Sequence, residues 1–368
     1  MKQKTGLFMG IVSMMLFIMA CGGGKVEEQP VSDTEAQTFA RELEKNMSKG
    51  NGAFMDDAMM WEVFYNRMKA STNTPADISR SDFRAVVSNM KIGEKTAENI
   101  GANGMFKLLR SYKENGRQHL LFRLYSDEGI NYLDFEITRV KGKTGIADIY
   151  VYLSGENISE TVKELIAQAN QATKGKPGAD DNRRAQKLSE TQQMLRQERY
   201  QEVIDIIDNL PPAWKKVRVF MIRKLMAASR LSGEKFEETL AEYRAAFPNA
   251  RNVDLMLLDG YITQKKYDMA LRSIDNVDKQ LGTDPLLDLQ RGALYYQAGE
   301  SDSAIMVLKR LTENMPDFED GHSQLIQVLA LSGQEAKAKE LFLQAKESNL
   351  IKSKTIQMLE ENYPEIAK

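Results

Sequence analysis

The chain has 368 residues, 42% of them hydrophobic and 28% charged, with a formal net charge of −2. The length suggests two or three domains of an ordinary globular kind, and the near balance of charge excludes nucleic acid, whose phosphates call for a strongly basic face. With one cysteine, Cys21, no internal disulfide is possible, so a packed core must hold the fold.

Residues 1–20 have the form of a secretory signal: Lys2 and Lys4, an apolar run from Gly6 to Ala20, and a small residue just before Cys21. That run is shorter than the ~20 residues a membrane-spanning helix needs. Ile18-Met19-Ala20-Cys21 resembles the lipobox of bacterial lipoproteins, with Ile for the commoner Leu and Met at an unusual place. The resemblance implies cleavage before Cys21 and lipidation of its thiol. Gly22-Gly23-Gly24 then opens a tether over 21–33. Residue 22 is not the Asp that retains enteric lipoproteins in the inner membrane. Lys25-Val26-Glu27-Glu28 is similar to the charged tether of some Bacteroidetes surface lipoproteins. The expected location is the bacterial envelope, at the outer membrane.

Residues 34–172 are expected to form an α+β domain. Thr34, with Gln37 as capping box, starts a helix to about Ser48. Asp56-Asp57 opens a second, with Met60, Trp61, Phe64 and Met68 on its apolar side. Ser79 or Ser81 caps a third, which runs through Phe83, Val86, Val87 and Met90. From Met105 the period changes to two. Residues 105–112, 119–125, 130–140 and 146–153 are four strands of an antiparallel meander, separated by Asn115-Gly116, Asp127-Glu128-Gly129 and Lys141-Gly142. A helix follows from Ser159 to about Gln171. This element order resembles cystatin-like or NTF2-like domains. The polar, Gly- and Pro-bearing stretch 173–184 is the expected linker.

Residues 185–368 read as helical and repetitive. Starts at 251, 285 and 319 place Ala270, Ala304 and Ala338 in register, as well as Ile274, Leu308 and Phe342. Gly292, Tyr295, Ala304, Leu308 and Pro316 in one unit resemble the tetratricopeptide (TPR) pattern. A unit near 217 carries Phe236 where Ala is expected, one near 184 is degenerate, and 351–362 is a capping helix. The resemblance implies a solenoid whose first helices line a groove, with Met221, Leu225, Leu255, Ile262, Leu289, Tyr296, Gln297, Ser323 and Gln327 at groove positions. That set is apolar to neutral and lacks the Lys/Asn clamp for C-terminal carboxylates. It suits an amphipathic helix or an extended peptide.

The residues carry little chemistry. The only two histidines, His119 and His322, fall in different halves, and no zinc-type ligand spacing occurs. Gly142-Lys143-Thr144 lacks the upstream Gly of a phosphate-binding loop and reads as a hairpin turn. One face of the sheet is more distinctive: Tyr125, Tyr132, Asp134, Asp148, Tyr150 and Tyr152 alternate with apolar residues. That face is either a solvated sheet surface with cross-strand pairs or a cleft for a peptide or sugar, and Asp134 with Asp148 is a conceivable acid–base pair. Phe122-Arg123-Leu124-Tyr125 and Asn131 to Phe135 resemble bacterial TPR proteins of unassigned activity. The expected function is a non-enzymatic, lipid-anchored scaffold that binds an envelope protein or peptide and needs no cofactor. The alternatives are a ligand-capture lipoprotein resembling SusD, which would take a peptide or glycan, and an enzyme built on the Tyr/Asp face.

Overall fold

The structure is a computed structural model, and it describes residues 26–71, 78–101, 104–127, 129–174, 190–191, 193–248 and 250–367. The expected signal, Cys21 and most of the expected linker lie outside these residues. The tether is shorter than expected. Gln29 pairs with Arg139 through two backbone hydrogen bonds, Glu28 holds Arg67, and Val31 is buried, so the chain is docked well before residue 33.

Helix α1 (Asp33–Met47) is capped by Ser32 rather than Thr34. The Ser32 hydroxyl accepts from the Glu35 N–H, and the Glu35 carboxylate accepts from the Ser32 N–H, which satisfies two end donors reciprocally. The expected second helix is two: α2 (Ala53–Ala58) and α3 (Trp61–Ala70). Met59 and Met60 interrupt it because they are drawn to the sheet, with the Met60 N–H donating to the Ile146 carbonyl. Beyond α4 (Arg80–Val87), capped by Ser79, lies an unexpected α5 (Ile92–Ile100). The Asp56 carboxylate accepts from the Gly93 and Glu94 N–H groups at 2.8 and 3.0 Å, so an acid three dozen residues away caps this helix.

The strands are β1 (Met105–Glu114), β2 (Arg117–Ser126), β3 (Gly129–Val140), β4 (Lys143–Val151) and β5 (Glu156–Asn157). They follow sequence order, every pair antiparallel. The first four match the expected meander, and β5 is an added two-residue strand. Helix α6 (Ile158–Lys174) follows and takes in the first two residues of the expected linker. One face of the sheet, with Leu120, Phe122, Leu133, Phe135 and Ile149, forms a single core with α1–α6.

Among the described residues from 200 onward the array comprises α7 (Tyr200–Asp208), the short α8 (Pro212–Lys215), four helical hairpins and a cap. The hairpins are α9 (Arg218–Leu231) with α10 (Gly233–Ala246), α11 (Val253–Thr263) with α12 (Tyr267–Leu281), α13 (Leu287–Gln297) with α14 (Ser301–Asn314), and α15 (Glu319–Leu331) with α16 (Glu335–Glu347). The cap is α17 (Ser353–Asn362) and α18 (Pro364–Ala367). Ala270, Ala304 and Ala338 are fully buried, as are Ile274, Leu308 and Phe342. A Cβ on Gly292 would overlap the Leu308 side chain, so the helices of that hairpin cross where only a hydrogen fits. Phe236, the departure from the small-residue position, is matched by Gly260 of the next hairpin, whose missing side chain leaves space for the ring.

The two halves are not separated by solvent. Leu121, Tyr132 and Tyr152, on the second face of the sheet, share a core with Leu225, Leu240, Leu257, Tyr261 and Leu287 of the array. Met105, Tyr125 and Ile130 pack on the core built around Phe318, Leu325 and Leu329. The sheet is thus a middle layer, with helices on one face and the array on the other.

Candidate functional site at the seam

The sheet meets the array along the loops that join one hairpin to the next. The contacts recur at about the repeat spacing. Arg218 donates to the Gly155 carbonyl. Arg251 pairs with Glu114 at 2.7 Å and lies 3.6 Å from Asp134. Asp284 receives Arg123 and, at 2.9 Å, the Tyr132 hydroxyl. Asp320 accepts from the Tyr125 hydroxyl at 2.6 Å. A solenoid presents equivalent loops at a constant interval, so one sheet face can be gripped by each in turn.

This placement corrects the reading of the Tyr/Asp face as one exposed cleft. Tyr132 and Tyr152 are buried in the shared core, and Tyr125 is committed to Asp320 and to an edge contact with Phe318. Asp134 and Asp148 are not cross-strand partners. Asp134 lies opposite Tyr150, whereas Asp148 lies opposite Glu136. The Asp148 carboxylate accepts from the Ser159 hydroxyl and from the Ile149 and Ser159 N–H groups, tying β4 to the first turn of α6. Burial dominates these hydrogen bonds and pushes its carboxyl up to about 7.

Asp134 and Tyr150 do line an open cleft of 320 Å³ at the seam. Arg117, His119 and Glu136 enter it from the sheet, and Arg218 and Arg251 from the array. Asp134, 2% exposed, accepts from the Tyr112 hydroxyl and lies 3.1 Å from His119 Nδ1. Against that carboxylate Nδ1 is the donor, and His119 also lines the cleft. Arg67 and Arg117 bind opposite oxygens of Glu136. Burial, reinforced by the Asp134 charge, raises the Tyr112 hydroxyl far above its ordinary range, so it stays a donor. Sequence spacing did not single out His119, Arg117, Arg218 or Arg251 for this site, because its walls come from opposite halves of the chain. Among the described residues no cluster of three His, Cys, Asp or Glu side chains is arranged to hold a metal ion.

The groove positions divide. Met221, Leu225 and Ser323 are buried and belong to the packing of the array, which corrects their reading as groove-lining residues. Leu255, Ile262, Leu289, Tyr296 and Gln327 are half-buried, and Gln297 is exposed. Leu331, which the sequence reading left out, follows Gln297 by 34 residues and is 52% exposed.

Fold and site together define a helical-hairpin array of TPR-like form carrying an α+β domain on its inter-hairpin loops. No family model matches the chain, and no curated protein matches it. Among solved structures it is similar to "MamA MSR-1 C2", at 19% identity and a TM-score of 0.34, over 45% of this chain and 95% of that one. At that level the likeness carries no argument.

Proposed function

We propose that this chain is a lipoprotein of the bacterial envelope, anchored through Cys21, whose TPR-type array is a non-enzymatic scaffold for another envelope protein. The observation that carries the scaffold reading is the exposed side of the first helices. The sheet occupies the inter-hairpin loops, and Tyr296, Gln297 and Leu331 stay accessible at repeat-equivalent or neighbouring positions. An exposed leucine with a half-buried tyrosine and an amide nearby suits the apolar face of a partner helix. The anchor reading rests on the sequence from Lys2 to Gly24, and placement at the outer membrane rests on residue 22 not being Asp. The cystatin- or NTF2-type reading of the first half rests on its element order, helices and then a meander on which they pack.

The test is crosslinking in intact cells followed by purification under denaturing conditions. A defined partner should be recovered with the wild type and lost with a Tyr296→Ala, Leu331→Asp double variant that melts at the same temperature. Recovery unchanged by the double variant would remove the scaffold reading. Labelled palmitate should enter the wild type and not Cys21→Ala, and no label in the wild type would remove the anchor.

A further inference from the structure

The seam cleft lies apart from the accessible groove positions, and its chemistry is that of a binding site. Both halves build it, so it exists only when the sheet is docked. Its lining is almost wholly planar and polar, with the Tyr150 ring as the aromatic surface and the Arg251 guanidinium 5.5 Å from that ring's centre.

The kind of ligand follows from how the charges are already engaged. Arg117 faces Glu136 at 3.2 Å and Arg251 faces Glu114 at 2.7 Å. Arg218 is held over the Phe247 ring at 4.2 Å, with Glu156 4.0 Å away. A carboxylate or phosphate ligand only accepts hydrogen bonds, and it would enter beside Glu114, Glu136 and Glu160. An ammonium group only donates, and it would enter beside three arginines. Drawing either arginine away from its carboxylate leaves a partly buried charge uncompensated. A hydroxyl both donates and accepts. It can accept a hydrogen bond from an arginine N–H and donate its own to a carboxylate oxygen, with His119, held against Asp134, beside it. The Asn115 and Asn157 amides, from opposite ends of the strand order, also line the cleft and can serve both roles. A volume of 320 Å³ is at the small end of ligand sites, which run roughly from 300 to 1,000 Å³.

We propose that the seam cleft binds a small neutral polyhydroxylated ligand, a mono- or disaccharide, with His119, held by Asp134, hydrogen-bonded to one ligand hydroxyl. This goes beyond the scaffold reading and does not depend on it.

The test is calorimetry on the full chain with glucose, galactose, mannose, N-acetylglucosamine, cellobiose and lactose, each up to about 50 mM, with glucuronate and glucosamine as charged counterparts. At least one neutral sugar should bind, and the charged forms should bind weaker by about tenfold or more. His119→Gln and Asn157→Ala should each weaken binding by about tenfold. Asn157 is the control for folding, because it is half-buried at the wall and outside the main cores. The Tyr296→Ala, Leu331→Asp variant should bind sugar as the wild type does, which separates this site from the scaffold surface. No binding by any neutral sugar, equal binding by a charged counterpart, or binding unaltered in the Asn157→Ala variant would each overturn the proposal.

Discussion

Arg123 of the sheet and Asp284 of the array form an ion pair buried from solvent on both sides, 161 residues apart in the chain. The Tyr132 hydroxyl and the Leu286 N–H also donate to the Asp284 carboxylate, so the acid is fully satisfied where it sits. A buried pair of this kind adds little net stability against an apolar replacement, but it penalises every arrangement that leaves one partner alone. It therefore specifies where the sheet docks. An isolated 185–368 fragment would lose Leu121, Tyr132 and Tyr152 from the core they share with Leu225, Leu240, Leu257 and Leu287.

Asp284→Ala should destabilise the full chain by about 3–5 kcal/mol, since Arg123 would stay buried without a counter-charge. Arg123→Met combined with Asp284→Leu should recover the part due to the unpaired Arg123 charge, while the Tyr132 hydroxyl and Leu286 N–H stay without their acceptor. Urea unfolding of the three proteins measures it, and a double variant no more stable than Asp284→Ala would mean the pair does more than satisfy itself.

Gly155→Ala should loosen the seam. Gly155 has φ +70° and lies directly against the Asn252 side chain, so an added methyl is both strained and blocked. Gly142, at φ +81° in the β3–β4 turn, has nothing within 4 Å of its would-be Cβ. Gly142→Ala therefore measures the backbone cost alone, of the order of 1 kcal/mol. Gly155→Ala should exceed it by a further ~1–3 kcal/mol of overpacking. Equal losses in chemical denaturation would show that Asn252 yields freely.

The contribution of Asp148 to stability should fall as pH rises from about 4 to about 7. Buried Asp148 keeps its proton up to about 7 in the folded chain, whereas in the unfolded chain it is lost near its ordinary value of 3.8. Over that window the folded state binds the extra proton, so raising the pH favours unfolding. Glu156, whose carboxyl burial also raises, acts in the same direction. Asp148→Asn should change stability little at pH 4 and raise it relative to wild type at pH 8. A difference independent of pH between the two proteins would show that Asp148 is ionised throughout.

Two substitutions test the register of the array. Ala304→Leu should cost about 1–3 kcal/mol by overpacking a fully buried crossing. Gly260→Ala should collide with the Phe236 ring, and adding Phe236→Ala should relieve the collision while opening a cavity. Thermal melts read both, and a Gly260→Ala protein that melts with the wild type would displace Phe236 from this contact.

Local signals carried most of the secondary structure. Asn115-Gly116 and Lys141-Gly142 both adopt positive φ, as two-residue hairpin turns require, and that set the meander before any tertiary contact was known. The array was legible for a similar reason. A 34-residue period repeats the same steric demand, and Ala270, Ala304 and Ala338 answer it with the same side chain. Interruptions of a pattern by a distant partner were not legible. Met59 and Met60 continue a helical stripe, yet a strand 86 residues further on takes their backbone. The second face of the sheet was ambiguous because tyrosines and carboxylates serve equally well against water or against a matched partner. Tyr132, Asp134 and Tyr152 look solvated in sequence, and they become interior because Asp284, Arg251 and the array's apolar core meet them. Period and turn chemistry act between near neighbours and can be read along the chain. Burial of a polar face depends on complementary groups more than a hundred residues away, and the tertiary structure alone brings these together.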